Sequence, residues 1–85
     1  MENLKLELDK IVENHKGTYL DALWIGIMKP SSMGWREAKK LGMEKDFYYG
    51  WMFYSTSTNS NGNDLLEKIQ KVCSPYDLRI RTYDL

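Results

Sequence analysis

The chain of 85 residues holds one histidine, His15, and one cysteine, Cys73. Nucleophilic catalysis needs a base within hydrogen-bond reach of its nucleophile. His15 falls at the end of an expected helix among charged neighbours and reads as a solvated or capping residue. Cys73 falls on the apolar face of another helix and reads as a buried, inert thiol. One cysteine makes no intrachain disulfide and no cysteine-based metal cluster. The glycines are scattered singly, so no loop is built to cradle phosphate. Asp21, Glu37, Glu44 and Asp46 are candidate paired carboxylates, but no spacing singles out two of them. Asn61, Asn63 and Asp64 resemble part of a calcium loop whose later acidic ligand is missing. The expectation is a non-enzymatic protein without metal or cofactor.

The richer signal is aromatic. The chain has 3 tryptophans, 6 tyrosines and 2 phenylalanines, and six of these eleven rings are crowded between Phe47 and Tyr54. If Trp24, Tyr49 and Trp51 share a sheet face with Arg79 and Arg81, the result is an aromatic platform with guanidinium groups at its rim. Such a surface suits a protein partner, because Trp, Tyr and Arg dominate binding hot spots. It also suits unpaired nucleotides, which stack on rings at about 1–3 kcal/mol per base and pair their phosphates with Arg. If a helix covers that face instead, the same rings are core.

The elements that must hold these residues follow from periodicity. Leu4, Leu8, Ile11 and Val12 mark one face of a helix over residues 2–14, stopped near Gly17. Residues 18–28 read as a strand ended by Pro30, with a helix as the alternative because Asp21-Ala22-Leu23 is not strand-like. Its Leu23, Ile25 and Ile27 lie on one side and Ala22, Trp24 and Gly26 on the other. Residues 29–32 form a turn. Ser31 or Ser32 is the expected cap of a short helix over residues 35–41, closed by Gly42. Residues 46–58 read as one long strand, because aromatic side chains suit a pleated surface. Asn59 to Asn63 is a loop. Asn63 caps a helix whose apolar face is Leu65, Leu66, Ile69, Val72 and Cys73, stopped by Ser74-Pro75. Residues 77–83 alternate, with Leu78, Ile80 and Thr82 opposite Arg79, Arg81 and Tyr83. The order is α-β-α-β-α-β, a single α+β domain over residues 1–85 with a three-stranded sheet packed by helices. The last two strands are far enough apart for a parallel, right-handed crossover.

Two short segments resemble the signatures of the RNA-recognition motif. Leu23-Trp24-Ile25-Gly26-Ile27-Met28 is similar to the first. Tyr49-Gly50-Trp51-Met52-Phe53-Tyr54 is loosely similar to the second. The resemblance implies Trp24, Tyr49 and Trp51 as stacking positions. Phe47 and Tyr48 stand where that family has a basic residue and a glycine. Only about 20 residues separate the segments, where the family carries a helix and a further strand.

Composition bounds the rest. Lys+Arg and Asp+Glu number 12 each, for a formal net charge of zero, which argues against a basic nucleic-acid coat and an acidic mimic of DNA. The apolar run from Ala22 to Met28 falls far short of the roughly 20 residues that span a membrane. The charged N-terminus lacks a signal-peptide core, so a cytoplasmic, intracellular protein is expected. A small domain with surplus apolar surface gains from self-association, here as a homodimer. The expected function is protein–protein interaction, in the style of a virus- or mobile-element-encoded inhibitor of a host protein. The alternative is binding of single-stranded nucleic acid or a nucleotide on an aromatic sheet face.

Overall fold

The computed structural model describes residues 2–15, 22–59 and 63–85. Helix α1 spans Glu2–Asn14. Leu4, Leu8 and Val12, spaced by four, are buried and Ile11 packs beside them. The helix closes as His15 donates its amide to the Val12 carbonyl and its Nδ1 meets the Ile11 carbonyl at 2.7 Å. The lone histidine is thus a helix cap.

Strand β1 covers Leu23–Met28; the expected start at residues 18–21 lies outside the described residues. Helix α2 spans Trp35–Lys40 with Gly34 at its N-cap and no side-chain cap. Neither Ser31 nor Ser32 caps it, because the Met33 amide bonds to the Pro30 carbonyl and sets both serines in a turn before the helix. At the other end Gly42 N–H bonds to the Lys39 carbonyl and Met43 N–H to that of Ala38. This double closure turns Met43 into the core, where it is buried.

The expected long strand over residues 46–58 is two strands. β2 spans Glu44–Asp46 and β3 spans Gly50–Thr58, paired antiparallel with Asp46 opposite Gly50. Phe47, Tyr48 and Tyr49 form the hairpin loop between them. Asp46 Oδ1 accepts the amides of Tyr48 and Tyr49 at 2.8 and 3.0 Å, and Gly50 takes φ +80°. A three-residue hairpin loop closing on a left-handed residue demands that glycine. Helix α3 spans Asn63–Cys73; whether the Asn63 side chain caps it lies outside the described residues. A 3-10 turn over Ser74–Tyr76 leads to β4, Arg79–Asp84.

The sheet has four strands in the order β2-β3-β1-β4, not three. β1 runs antiparallel to both neighbours. β3 and β4 are therefore parallel to each other, as the crossover length implies, but β1 lies between them and every pairing in the sheet is antiparallel. After α1 the connectivity is β-α-β-β-α-β, that of a ferredoxin-like α+β domain. The helix and strand that the RNA-recognition resemblance requires between its two segments are present as α2 and β2.

All three helices feed one cluster on one side of the sheet. Leu4, Leu8 and Val12 from α1, Ala38 from α2, and Leu65, Ile69 and Cys73 from α3 meet Ile25, Ile27 and Phe53. Truncating a fully buried leucine such as Leu8 to alanine removes about 2–5 kcal/mol, a large share of the stability of so small a domain. The register slips between Ile27 and Met28, which pair with Tyr54 and Met52. This bulge turns two successive residues of β3 toward α1. Lys5 Nζ stands 5.1 Å from the Phe53 ring centre, and the Tyr54 hydroxyl donates to Asp9 Oδ1 at 2.7 Å.

Candidate functional site on the open sheet face

The same register composes the opposite face. Trp24 pairs with Tyr83, Gly26 with Arg81 and Met28 with Arg79, and residues directly opposite in an antiparallel pair project to one side. Met52, opposite Met28, joins them. Gly26 lies beneath the Trp24 ring. A Cβ there would overlap Trp24 Cη2 and come within 2.9 Å of Cζ2 and 3.0 Å of Met52 Cε. The missing side chain is the space the indole occupies.

Tyr49 reaches this face from the hairpin loop. Its ring stacks on Trp24 with centroids 5.2 Å apart and planes at 26°. Tyr83 closes a triangle, 5.7 Å from Trp24 and 6.0 Å from Tyr49. Such ring pairs contribute about 0.5–1.5 kcal/mol each beyond their buried area. The Arg81 guanidinium lies 5.9 Å from the Tyr49 ring centre, and its Nη1 is 3.4 Å from the Tyr83 hydroxyl. Hydrogen bonds from Tyr49 and Arg81 hold the Tyr83 phenol below the ordinary tyrosine range. Tyr49, the donor of that pair, is held above it.

Beside this triangle is a shallow depression of about 440 Å³ lined by Met28, Tyr48, Tyr49, Arg79, Arg81 and Tyr83. Its charged lining is two arginines, so it favours electron-rich groups and carbonyl or anionic oxygen. At the hairpin tip Phe47 is 95% exposed and Tyr48 84% exposed, with their rings edge to face at 5.4 Å. Tyr48 also meets the Tyr49 ring at 6.2 Å, but neither tip ring belongs to the buried core cluster.

The structure brings together Trp24, Tyr49, Arg79 and Arg81 of the sequence-derived set. It separates Trp51. That side chain packs, half-buried, against the core cluster on the helix side. The alternation that paired Tyr49 with Trp51 does not run through a turn, and Gly50 with its positive φ breaks the phase. Met28, Met52 and Tyr83 belong to the face in addition, and Phe47 and Tyr48 extend it. The pointer to the tip is Asp46 and Gly50 bracketing three residues, a turn signature that the crowd of strand-favouring rings outweighs.

Cys73 is buried, and burial pushes its thiol up to about 11. It is a neutral core group at physiological pH. Among the described residues no cluster of His, Cys, Asp or Glu is placed to hold a metal ion, and no helix is long and apolar enough to cross a membrane. No family model matches the chain, and no curated protein or solved structure matches it significantly.

Proposed function

We propose that the chain is a cytoplasmic, non-enzymatic binding protein that docks a protein partner on its open sheet face and hairpin tip. The observation that carries this reading is the placement of Phe47 and Tyr48, almost wholly exposed, next to a ring cluster edged by Arg79 and Arg81. Aromatic residues, methionine and arginine are the types enriched at protein interfaces, and a few buried anchors supply most of the binding energy. The hairpin presents its two rings on a backbone already fixed by Asp46, so little ordering entropy is lost on docking. A domain this small acts by covering part of its partner, as an inhibitor or adaptor does. Encoded by a virus or mobile element, its target would be a host protein.

The test is capture of partners from native cell extract with the wild type, with Phe47→Ser/Tyr48→Ser, and with Lys68→Ser on the exposed side of α3. A protein retained by the wild type and Lys68→Ser, lost by the hairpin variant and insensitive to moderate salt supports the reading. Retention by the wild type and both variants alike refutes it.

A second reading is favoured by one specific observation. The helix and strand between the two RNA-recognition-like segments are present, and Trp24 and Tyr49 lie on the open face with Arg79 and Arg81. On this reading single-stranded nucleic acid or a nucleotide occupies the depression, stacks on Tyr48 or Tyr49 and sets phosphate against the arginines. Tryptophan fluorescence with a panel of oligonucleotides and nucleotides at low salt tests it. Quenching that weakens with added salt and with Arg79→Ala or Arg81→Ala supports nucleic acid. A silent panel removes it.

A further inference from the structure

The two edges of the sheet are unlike. β2 is three residues long and carries Lys45, a blunted edge. β4 is six residues long, without proline or bulge, and Arg79, Arg81, Thr82, Tyr83 and Asp84 are all exposed. Among the described residues no strand pairs with its outer side. The Leu85 amide donates to the Ala22 carbonyl at 2.8 Å, and this fixes the phase of the ladder. In an antiparallel pair, residues with both backbone groups turned inward alternate with residues that turn both outward. Arg79, Arg81 and Tyr83 therefore bond to β1, while Ile80, Thr82 and Asp84 present free N–H and C=O groups to the edge.

We propose that two copies of this chain pair antiparallel along β4, about a two-fold axis at Thr82, and join their sheets into one. A two-fold axis normal to the sheet keeps the helices of both copies on one side and both ring clusters on the other. Charge selects the register. Centred on Ile80, Arg79 meets the partner's Arg81; centred on Arg81, the two guanidinium groups meet each other. Like charges directly opposite destabilise a pair. Centred on Tyr83, strand β4, which ends at Asp84, overlaps its copy only from Thr82 to Asp84.

Centred on Thr82, Arg81 lies opposite the partner's Tyr83, a cation beside a ring, and this contact occurs twice by symmetry. The outward groups of Ile80 bond with the partner's Asp84, and Thr82 bonds with the partner's Thr82. On the helix side the partner's Asp84 then reaches a groove of about 600 Å³ beside β4. Lys71, Gln70, Leu78 and Ile80 line it together with Glu67 and Asp77; the two carboxylates offset Lys71, so the register is chosen by the arginines and not by this contact. The consequence is a binding face twice as wide, with two hairpin tips on the same side.

Light scattering after size exclusion reads the assembly directly. The wild type is expected to be a dimer. Thr82→Pro removes an N–H that the ladder phase turns away from β1 and that no described strand meets, so the fold tolerates it on an edge strand. It is expected to weaken dimerisation about 100-fold by deleting the two bonds at the axis. A wild type that stays monomeric at high concentration overturns the proposal, as does a folded Thr82→Pro chain that still dimerises fully. Crosslinking reads the register and decides the matter should Thr82→Pro fail to fold. Opposed backbone-bonded residues lie about 5.5 Å apart at Cα, within disulfide range. Thr82→Cys in a Cys73→Ala background should link under mild oxidation, and Arg81→Cys should not. Ready linkage through Arg81→Cys, or none through Thr82→Cys, refutes the register.

Discussion

Gly26 and Thr58 are the two positions where a single atom decides the outcome. At Gly26 an added methyl overlaps the Trp24 ring, so the indole must tilt and loosen its stack with Tyr49. Gly26→Ala is expected to cost about 1–3 kcal/mol, the range of a forced repacking. It should also change the near-ultraviolet circular dichroism and the tryptophan emission while leaving helical signal intact. An unaltered aromatic spectrum would contradict the packing of Trp24 over Gly26. Thr58 is buried, and its Oγ1 has no hydrogen-bond partner among the described residues. An orphaned hydroxyl costs more than a methyl of the same shape. Thr58→Val should therefore hold or raise the urea midpoint, by up to about 1 kcal/mol of stability; a clear loss would mean the hydroxyl has a partner. At this scale the sequence was most legible where strands alternate without interruption. Trp24, Arg79 and Arg81 lie where period-two counting sets them, because β1 and β4 pair in one unbroken register. Trp51 was not legible, because its side depends on a turn two residues earlier.

That turn is the element on which the site depends. Asp46 binds two successive amides of the loop, and without its carboxylate Tyr48 and Tyr49 lose their positions. Asp46→Ala is expected to lower stability by about 1 kcal/mol, as for loss of a capping side chain. It should also release Tyr49 from Trp24, seen as a shift in tryptophan emission. Asp46→Asn keeps the acceptor and should retain most of both; failure of the asparagine variant would show that charge rather than hydrogen bonding holds the loop. The sequence hid this hairpin because Phe47, Tyr48 and Tyr49 favour strands on propensity alone, and local turn chemistry at Asp46 and Gly50 overrode them. The helices were easier to read. α1 and α3 carry apolar residues at helical spacing, and their buried sides are those the spacing names. Strand order was not readable: the distance from β3 to β4 allows a crossover but says nothing about which strand fills the gap.

For the whole molecule, the buried Cys73 thiol and the half-buried Tyr54 phenol shape the alkaline limit. The Cys73 thiol is raised from 9.0 to about 11 by burial. Tyr54 is raised well above 10.0, first by burial and then by its hydrogen bond to Asp9. Each holds its proton more tightly folded than unfolded. Their contribution is complete below the unfolded values and is lost as pH rises, because the unfolded chain then ionises where the folded chain does not. Stability should be unaffected by these groups up to about pH 9. It should fall between pH 9 and 11 as the unfolded thiol ionises, with Tyr54 steepening the fall above pH 10. Urea midpoints taken at steps from pH 7 to 11 check this. Cys73→Ala lowers stability at every pH by opening a small cavity, yet it should flatten the first part of the decline, and Tyr54→Phe the second. A decline of the same slope in both variants would assign the alkaline loss to other groups and leave the buried thiol without a part in it.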